Sequence, residues 1–204
     1  MKKTFRLLAM AAMAAAAGCA VTATEAAAPA APPMTEEQMM QKMAELATPG
    51  AAHKRLEPLI GNFKTKGTFW MTPGAPPTTT EGKAVQSWLF DGRFVKQEYT
   101  GTFEGQPFSG LGITGYDNAD GLYHGIWIDS MGTMMMPVSS GKVDASGKVI
   151  TFKRRYHNVM AGGDVTSREV LTITDADHHT YEWHEPGPDG KEFLMFRIEY
   201  TRAK

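Results

Sequence analysis

Turn-forming residue pairs recur every eight to fifteen residues from Phe63 to the end of the chain, and this spacing constrains the fold more than any other feature. The turns are rich in Gly, Asp, Asn and Pro, and they lie at 73–74, 91–92, 104–105, 117–118, 120–121, 146–147, 162–163, 175–177 and 188–190. Short runs of β-branched and aromatic residues separate them. Such short strands, joined by tight turns, predict an antiparallel sandwich or barrel.

About ten such runs follow one another, and no run with a helical period of apolar residues interrupts them. This pattern disfavours a parallel sheet, because parallel strands need helical crossovers between them. The lack of a repeat of fixed length disfavours a propeller. We therefore predict an all-β domain over residues 61–204, an antiparallel up-and-down barrel of about ten strands that leaves no exposed sheet edge.

A helical segment is predicted ahead of the barrel, over residues 34–60. Thr35 is a suitable N-cap, Gln38 completes a capping box, and Pro49-Gly50 ends the first helix. The helix carries an apolar stripe at helical spacing, made of Met39, Met40, Met43 and Leu46. We expect this stripe to pack on the barrel or to close one of its ends. A second short helical stretch over 51–59 has three apolar residues that we expect to face inward, Leu56, Leu59 and Ile60.

The first 23 residues have the features of a secretory signal peptide. A basic region with Lys2, Lys3 and Arg6 precedes an apolar run from Leu7 to Ala17, which is too short to span a bilayer. Residues 24–33 are rich in Ala and Pro, which is typical of a tether. We therefore expect a bacterial protein that is periplasmic or anchored in the cell envelope.

Two cleavage sites fit this signal, both within residues 18–23. The first is a relaxed lipobox, Ala16-Ala17-Gly18-Cys19, in which Cys19 would carry the lipid that anchors the chain to a membrane. The second follows Ala23, with small residues at Val21 and Ala23, and it would discard Cys19. The sequence leaves both alternatives open.

Charge and cysteine content exclude two classes of protein. Cys19 is the single cysteine, so the chain has neither an internal disulfide nor a cysteine-based zinc site. Without the first 23 residues, 18 basic and 22 acidic residues remain, which gives a net charge of −4. A nucleic-acid-binding protein needs a basic surface, and we therefore predict no nucleic-acid partner.

Several motifs resemble those of a known bacterial family. The chain contains His53-Lys54-x-Leu56-x-x-Leu59-x-Gly61-x-Phe63, Asp91-Gly92-Arg93-Phe94, Glu98-Tyr99, Gly105-x-Pro107-Phe108-x-Gly110-Leu111-Gly112-x-x-Gly115-Tyr116-Asp117-Asn118, Trp127-x-Asp129-Ser130-Met131-Gly132-Thr133, Asp189-Gly190-Lys191-Glu192-Phe193 and Glu199-Tyr200-Thr201-Arg202. Over about residues 50–204 this pattern resembles the exported family called domain of unknown function 1579. The resemblance implies a lipocalin-like, or calycin-like, β-barrel and no agreed catalytic residues. The opening motif is also similar to the start of lipocalins and of the haem-binding nitrobindin barrels.

The positions of the histidines in the sequence do not predict a metal site. On one predicted strand Glu182 and His184 point to the same face, while His179 points to the other, and His178 lies at a turn. Because metal ligands must converge, we predict no metal ion. His124 and His184 each lie in an apolar or aromatic strand, so they are the two candidates for a haem ligand.

Methionines form two groups, Met39/Met40/Met43 and Met131/Met134/Met135/Met136. Thioethers bind Cu(I), but on a strand Met134 and Met136 share one face and Met135 occupies the other, so the second group does not converge. Methionine also fills irregular apolar space and adapts to varied ligands. We therefore interpret both groups as packing or pocket-lining residues, with copper binding as the alternative.

Signals for catalysis are absent from the sequence. There is no Gly-x-Ser-x-Gly elbow, and the glycines of the run 110–115 are followed by a turn instead of the helix that a dinucleotide site requires. Asp129 and Glu98 could act as an acid/base pair only if they met, and no spacing argument brings them together. We predict no catalytic residues and no cofactor.

Period-two alternation defines the candidate ligand site. Leu194, Phe196, Ile198 and Tyr200 share one face of the last strand, opposite Arg197 and Glu199. In the strand near 122–129 both faces are apolar: one holds Leu122, His124, Ile126 and Ile128, and the other holds Tyr123, Trp127 and Asp129. Alternation alone leaves both orientations open, and in one of them Leu122, Ile126 and Ile128 line the interior while Trp127 contacts the helix or a partner. We favour the orientation in which the Trp127 face looks inward, because Asp129 at a strand end can then reach solvent at the barrel mouth. The predicted ligand-binding residues are Trp88, Trp127, Asp129, Met131 and Met134.

A non-enzymatic barrel that binds a small apolar or amphipathic ligand is the function that these observations favour. The alternatives are a haem- or copper-binding barrel, a hydrolase or isomerase, and a structural envelope protein with a protein partner.

Replacing Cys19 with Ser tests the lipobox. If Cys19 carries a lipid, the variant should move from the membrane fraction to the soluble fraction, because the anchor is lost. Immunoblots of fractionated cells measure the distribution. An equal distribution of wild type and variant would contradict lipidation and leave export itself intact.

Overall fold

The computed structural model describes residues 33–204. The predicted signal peptide, Cys19 and residues 24–32 of the tether lie outside the described residues. Two short helices come first, α1 (Glu36–Ala47) and α2 (Ala51–Lys54), followed by a 3₁₀ turn, Glu57–Leu59. Ten strands follow: β1 (Gly61–Phe69), β2 (Thr78–Leu89), β3 (Phe94–Phe103), β4 (Gln106–Asp117), β5 (Leu122–Asp129), β6 (Ser139–Val143), β7 (Val149–Asn158), β8 (Gly163–Ile173), β9 (His178–Pro186) and β10 (Glu192–Arg202).

Each strand pairs antiparallel with its neighbour in the chain, and β1 pairs with β10 to close the barrel. The closing pair runs from Phe63 opposite Arg202 to Phe69 opposite Phe196. The prediction of a ten-strand up-and-down barrel preceded by a helix is therefore confirmed. Closure gives each of the ten strands two neighbours, so none of them is an edge strand of an open sheet.

The segment formed by α2 and the 3₁₀ turn closes one end of the barrel, and we call it the helical plug. Leu56 and Leu59 of the plug are buried in a core cluster with Val95, Tyr123, Ile150, Phe152, Leu171 and Ile173. The Tyr123 hydroxyl donates a hydrogen bond of 2.9 Å to the carbonyl of Ala52. Arg202 donates to the carbonyls of Ile60 (2.7 Å) and Pro58 (3.0 Å), which ties the plug to the last strand.

Helix α1 does not pack its apolar stripe on the barrel, so that expectation is wrong. The helix has no buried residue, and Met39, Met40 and Met43 are at least half exposed. Its C-terminal end is held by Asn118, whose side-chain amide donates to the carbonyls of Leu46 (3.0 Å) and Thr48 (2.9 Å). The reason is that the helical plug, which follows the turn at Pro49-Gly50, already fills this end of the barrel.

A β-bulge in β10 changes the predicted face of Leu194. Leu194 lies opposite His184 and Phe196 lies opposite Trp183, so the two strands change register between them. The extra residue turns Leu194 away from the face shared by Phe196, Ile198 and Tyr200. Met195 instead reaches the barrel interior. A bulge of this kind breaks period-two alternation and cannot be seen in the apolar pattern.

Truncation of Leu56 to Ala should destabilise the barrel by about 2–5 kcal/mol, because it removes a fully buried side chain from the plug. Met40→Ala is the matched control on α1, and its expected effect is within about 0.5 kcal/mol, since the side chain is exposed. Urea unfolding followed by tryptophan fluorescence measures both values. Equal effects of the two substitutions would contradict the role of the plug.

Candidate functional site

The barrel encloses a cavity of about 550 Å³ between the helical plug and the opposite end. Plug and core residues such as Leu59 and Leu171 form its floor, and the half-exposed side chains of Met71, Met131 and Met134 form its mouth. The wall is rich in aromatic rings, which are those of Phe69, Trp70, Tyr99, Phe103, Phe108, Trp127, Phe152, Tyr156, Tyr181, Trp183, Phe196 and Tyr200. This volume is within the range of cavities that hold small organic ligands.

Trp127 and Asp129 lie on the inner face of β5, with their side chains in the cavity wall. The Trp127 indole Nε1 donates a hydrogen bond of 2.8 Å to Asp129 Oδ2, and the Met131 backbone N–H donates to Oδ1 at 2.9 Å. Asp129 is the last residue of β5 and lies at the mouth, where its carboxylate keeps contact with solvent. Ile128 lies on the opposite face and is 38% exposed.

Two glycines of β4 make room for the Trp127 ring. A Cβ atom on Gly110 would lie 2.1 Å from Trp127 Cζ2, and one on Gly112 would lie 3.1 Å from Cε3. Such distances are shorter than van der Waals contact, so a side chain at Gly110 would displace the ring. The glycines of this run therefore allow close packing of the Trp127 ring on the sheet, and they do not form a dinucleotide site.

Four of the five predicted ligand residues line the cavity, namely Trp127, Asp129, Met131 and Met134. Trp88 is not among the residues that line it. It lies near the end of β2 and packs against the core cluster around Leu56 and Leu59. Trp88 faces inward, but the plug occupies that end of the barrel.

The two haem candidates do not line this cavity, and each interacts with a neighbouring carboxylate. His124 Nε2 is 2.8 Å from Asp120 Oδ2, and His184 Nε2 is 3.0 Å from Glu182 Oε2. Asp117, Asp120 and His124 do bring ligand atoms within 4.8 Å of one another. Asp117 and Asp120 already accept hydrogen bonds from backbone N–H groups of their own turn, so this cluster has a structural role.

A buried ion pair between Arg154 and Glu169 lies in the cavity wall, and the sequence pattern did not predict it. Arg154 Nε donates to Glu169 Oε1 at 2.7 Å and Nη2 donates to Oε2 at 3.2 Å, and both side chains are almost fully buried. The Tyr181 hydroxyl donates to Glu169 Oε2 at 2.7 Å. Arg154 also donates to the carbonyl of Pro137, which fixes the loop between β5 and β6.

Glu185 forms a second polar group on the same wall. The Trp183 indole Nε1 donates to Glu185 Oε1 at 2.6 Å, and the Tyr156 hydroxyl donates to the same oxygen. Burial and the neighbouring Glu185 carboxylate raise the pKa of Tyr156, so the phenol stays protonated and remains a donor. Asn158 lies within 3.4 Å of the other carboxylate oxygen.

His179 is the histidine that does line the cavity. Its Nε2 lies 3.2 Å from the Gln86 amide nitrogen, and its ring stacks on Tyr200 with centroids 4.2 Å apart. Burial, with a smaller effect of the Arg202 charge, lowers the pKa of His179 to about 3. The ring is therefore neutral near pH 7 and accepts the hydrogen bond from Gln86.

Burial moves the pKa values of several side chains in the wall away from pH 7. Burial raises the pKa of Tyr156, Tyr181 and Tyr200 and lowers that of His179. An efficient general acid or base has a pKa near the working pH. These side chains therefore suit fixed hydrogen-bond donors and acceptors better than groups that exchange protons at pH 7.

Comparison with known proteins identifies a family and a fold. The model of the family described as Protein of unknown function (DUF1579) matches residues 48–202. The crystal structure of Rv2717c from M. tuberculosis is similar, with 18% identity and a TM-score of 0.54, over 77% of this chain and all of that one. A redesigned β-barrel, mFAP0, bound to DFHBI, has 14% identity and a TM-score of 0.38, over 71% of this chain and 99% of that one. The curated proteins include no match.

The buried His179 predicts a specific dependence of stability on pH. An unfolded histidine titrates near pH 6.5, whereas the folded one has a pKa of about 3, so only the unfolded chain takes up this proton between those values. The contribution of His179 is therefore complete above pH 6.5 and is lost as the pH falls toward 3. Its slope reaches at most about 1.4 kcal/mol per pH unit.

Urea unfolding at several pH values from 7 to 4 measures this slope. The variant His179→Gln should be less stable than wild type at pH 7, and the difference should shrink as the pH falls. Met40→Gln, at an exposed residue of α1 that does not titrate, is the control and should follow the wild-type curve. A constant difference between wild type and His179→Gln would contradict the assignment.

Proposed function

The chain belongs to the family Protein of unknown function (DUF1579), and we propose that its barrel is a binding protein that holds one small apolar or amphipathic molecule. The observation that carries this proposal is the cavity of about 550 Å³, which the side chains of the barrel leave unfilled. Natural interiors are normally packed to high density, so a space of this size needs an explanation. A ligand that fills it would bury both its own apolar surface and that of the wall.

The composition of the wall supports a flat or aliphatic body with one polar end. Rings such as Trp127, Phe108 and Phe196 offer faces and edges to an apolar ligand. Hydrogen-bonding groups are few and are held in place by their neighbours, as Asp129 is by Trp127. Such a combination fixes the orientation of a ligand by a small number of polar contacts.

Methionines at the mouth support uptake of apolar molecules. Met71, Met131 and Met134 are half exposed and line the entrance. Unbranched thioether side chains can rearrange around ligands of different shape. This arrangement favours a packing and lining role, which does not require the thioethers to converge, over copper binding, which does.

The haem alternative is less well supported by the residues of the cavity. His179 is the wall histidine, and its Nε2 already interacts with Gln86 while its ring is stacked on Tyr200. If His179 were to bind haem iron, that hydrogen bond would have to break.

The enzyme alternative is disfavoured because burial moves the pKa values of the wall tyrosines and of His179 away from pH 7.

Location in the cell envelope is part of the proposal. It rests on the signal-like residues 1–23 and on Cys19, which lie outside the described residues. None of the helices within residues 33–204 is long and apolar enough to cross a membrane. An envelope barrel of this kind would carry or sequester an apolar molecule outside the cytoplasm.

Titration with the neutral apolar dye Nile red tests ligand binding. The wild-type protein should bind the dye saturably, and Trp127→Ala should weaken binding about tenfold, equivalent to about 1.4 kcal/mol, because one wall of the cavity is lost. Dye fluorescence measures the affinity, and circular dichroism confirms that the variant is folded.

Ile128→Ala is the matched control for this experiment. It removes an apolar side chain from the next position of β5, on the face that points away from the cavity. Its affinity for Nile red should equal that of the wild type. Failure of the wild type to bind the dye would contradict the proposed function, as would equal losses in the two variants.

A further inference from the structure

Charges in the cavity wall are not balanced. Among the described residues that line the cavity, Arg154 is the one cation, because His179 is neutral. Three carboxylates also line the cavity, those of Asp129, Glu169 and Glu185. Both nitrogens of the Arg154 fork engage Glu169, at 2.7 and 3.2 Å. This pair neutralises itself, so Asp129 and Glu185 are left without a cationic partner among residues 33–204.

The surroundings of these two carboxylates are alike. In each case a tryptophan two residues earlier on the same strand donates its indole N–H to the carboxylate, Trp127 to Asp129 at 2.8 Å and Trp183 to Glu185 at 2.6 Å. Each carboxylate therefore lies at the edge of an indole ring of the cavity wall. The Trp183 ring is stacked on Phe196, with centroids 5.8 Å apart, and Arg154 lies 5.5 Å from its centroid, so Trp127 is the ring of the two that can receive a ligand. Asp129 ends β5, and Glu185 is the penultimate residue of β9, so both lie in the half of the barrel near the mouth.

Within residues 33–204, the donors that reach these carboxylates are uncharged. Glu185 is 7% exposed and accepts hydrogen bonds from Trp183, Tyr156 and Asn158. Asp129 accepts from Trp127 and from the backbone of Met131. Neutral donors offset part of the desolvation cost of a carboxylate, but they leave its negative charge in the cavity.

We infer that the ligand of this cavity carries a cationic nitrogen, such as an alkylammonium or quaternary ammonium group, on an apolar body. This inference rests on the proposed binding function and names its ligand class. A cation near the mouth would lie against the face of Trp127, which attracts positive charge through its quadrupole. The adjacent carboxylates would supply the counter-charge in a site partly shielded from water.

The same arrangement selects against an anionic amphiphile. A fatty-acid carboxylate would bring a further negative charge toward Asp129 and Glu185, and Arg154 is already occupied by Glu169. Like charges brought together in a poorly solvated site repel one another strongly. A neutral amphiphile of the same length should fall between the cation and the anion.

A matched series of decyl compounds tests this order. Decyltrimethylammonium, decanol and decanoate share one chain and differ in head-group charge, and each is titrated as a competitor of Nile red below its aggregation concentration. We expect the cation to bind at least about ten times more tightly than decanol, and we expect decanoate to bind most weakly of the three. Added salt should reduce the advantage of the cation.

Variants locate the origin of the preference. Glu185→Gln and Asp129→Asn keep the size of each side chain and remove its charge, so each should lower the ratio of cation to alcohol affinity. Glu192→Gln is the control, because Glu192 lies outside the cavity and pairs with Arg168 at 2.6 Å. Its ratio should equal that of the wild type.

The outcomes separate this inference from the proposed function. Saturable Nile red binding with equal affinities for the three decyl compounds, or with decanoate the tightest, overturns the cation preference and leaves the binding function in place. No Nile red binding overturns both. The wild-type series alone decides between these results, so the conclusion does not depend on the stability of the variants.

Discussion

The hydrogen-bonded seam between β1 and β10 is the constraint on which the rest of the structure depends. Once this seam closes, alternate residues of all ten strands face a single enclosed space. Arg202 strengthens the seam at one end, because its guanidinium binds the carbonyls of Ile60 and Pro58 and lies over the ring of Phe63. The last strand, the first strand and the helical plug are thereby held by one side chain.

Closure also explains why the interior divides into a packed half and an open half. Leu56 and Leu59 fill the end that the chain enters first, whereas no segment of the described chain enters the other end. The open half has a wall in which charge is buried, as in the pair of Arg154 and Glu169. A buried ion pair of this kind adds little net stability, although the loss of one partner is costly. Arg154 also donates to the carbonyl of Pro137, so the pair positions the loop between β5 and β6 at the open half.

Much of the candidate site followed from the sequence, and the misses have physical causes. Trp127 and Asp129 lie on the cavity wall because period-two alternation and the position of Asp129 at a strand end both survive in the fold. Trp88 also faces inward, but alternation does not tell which end of the barrel a plug fills. Arg154, Glu169 and Glu185 occupy inward positions in strands with an apolar inner face, and a charged residue at such a position was the signal that could have revealed them.

The sequence by itself determined the number of strands, their antiparallel order and the helical segment ahead of them, because turn residues and alternation are local properties of the chain. Only the tertiary structure decided which apolar segment is buried. The Met stripe of α1 and the leucines of the plug have similar patterns, yet the space inside the barrel admits one of them. Tertiary structure also decided which charges meet, since Arg154 and Glu169 come together through the register of β7 and β8. The hydrophobic pattern specifies which side chains are to be buried. Which charged side chains pair, and where a cavity remains, depend on how strands distant in sequence align.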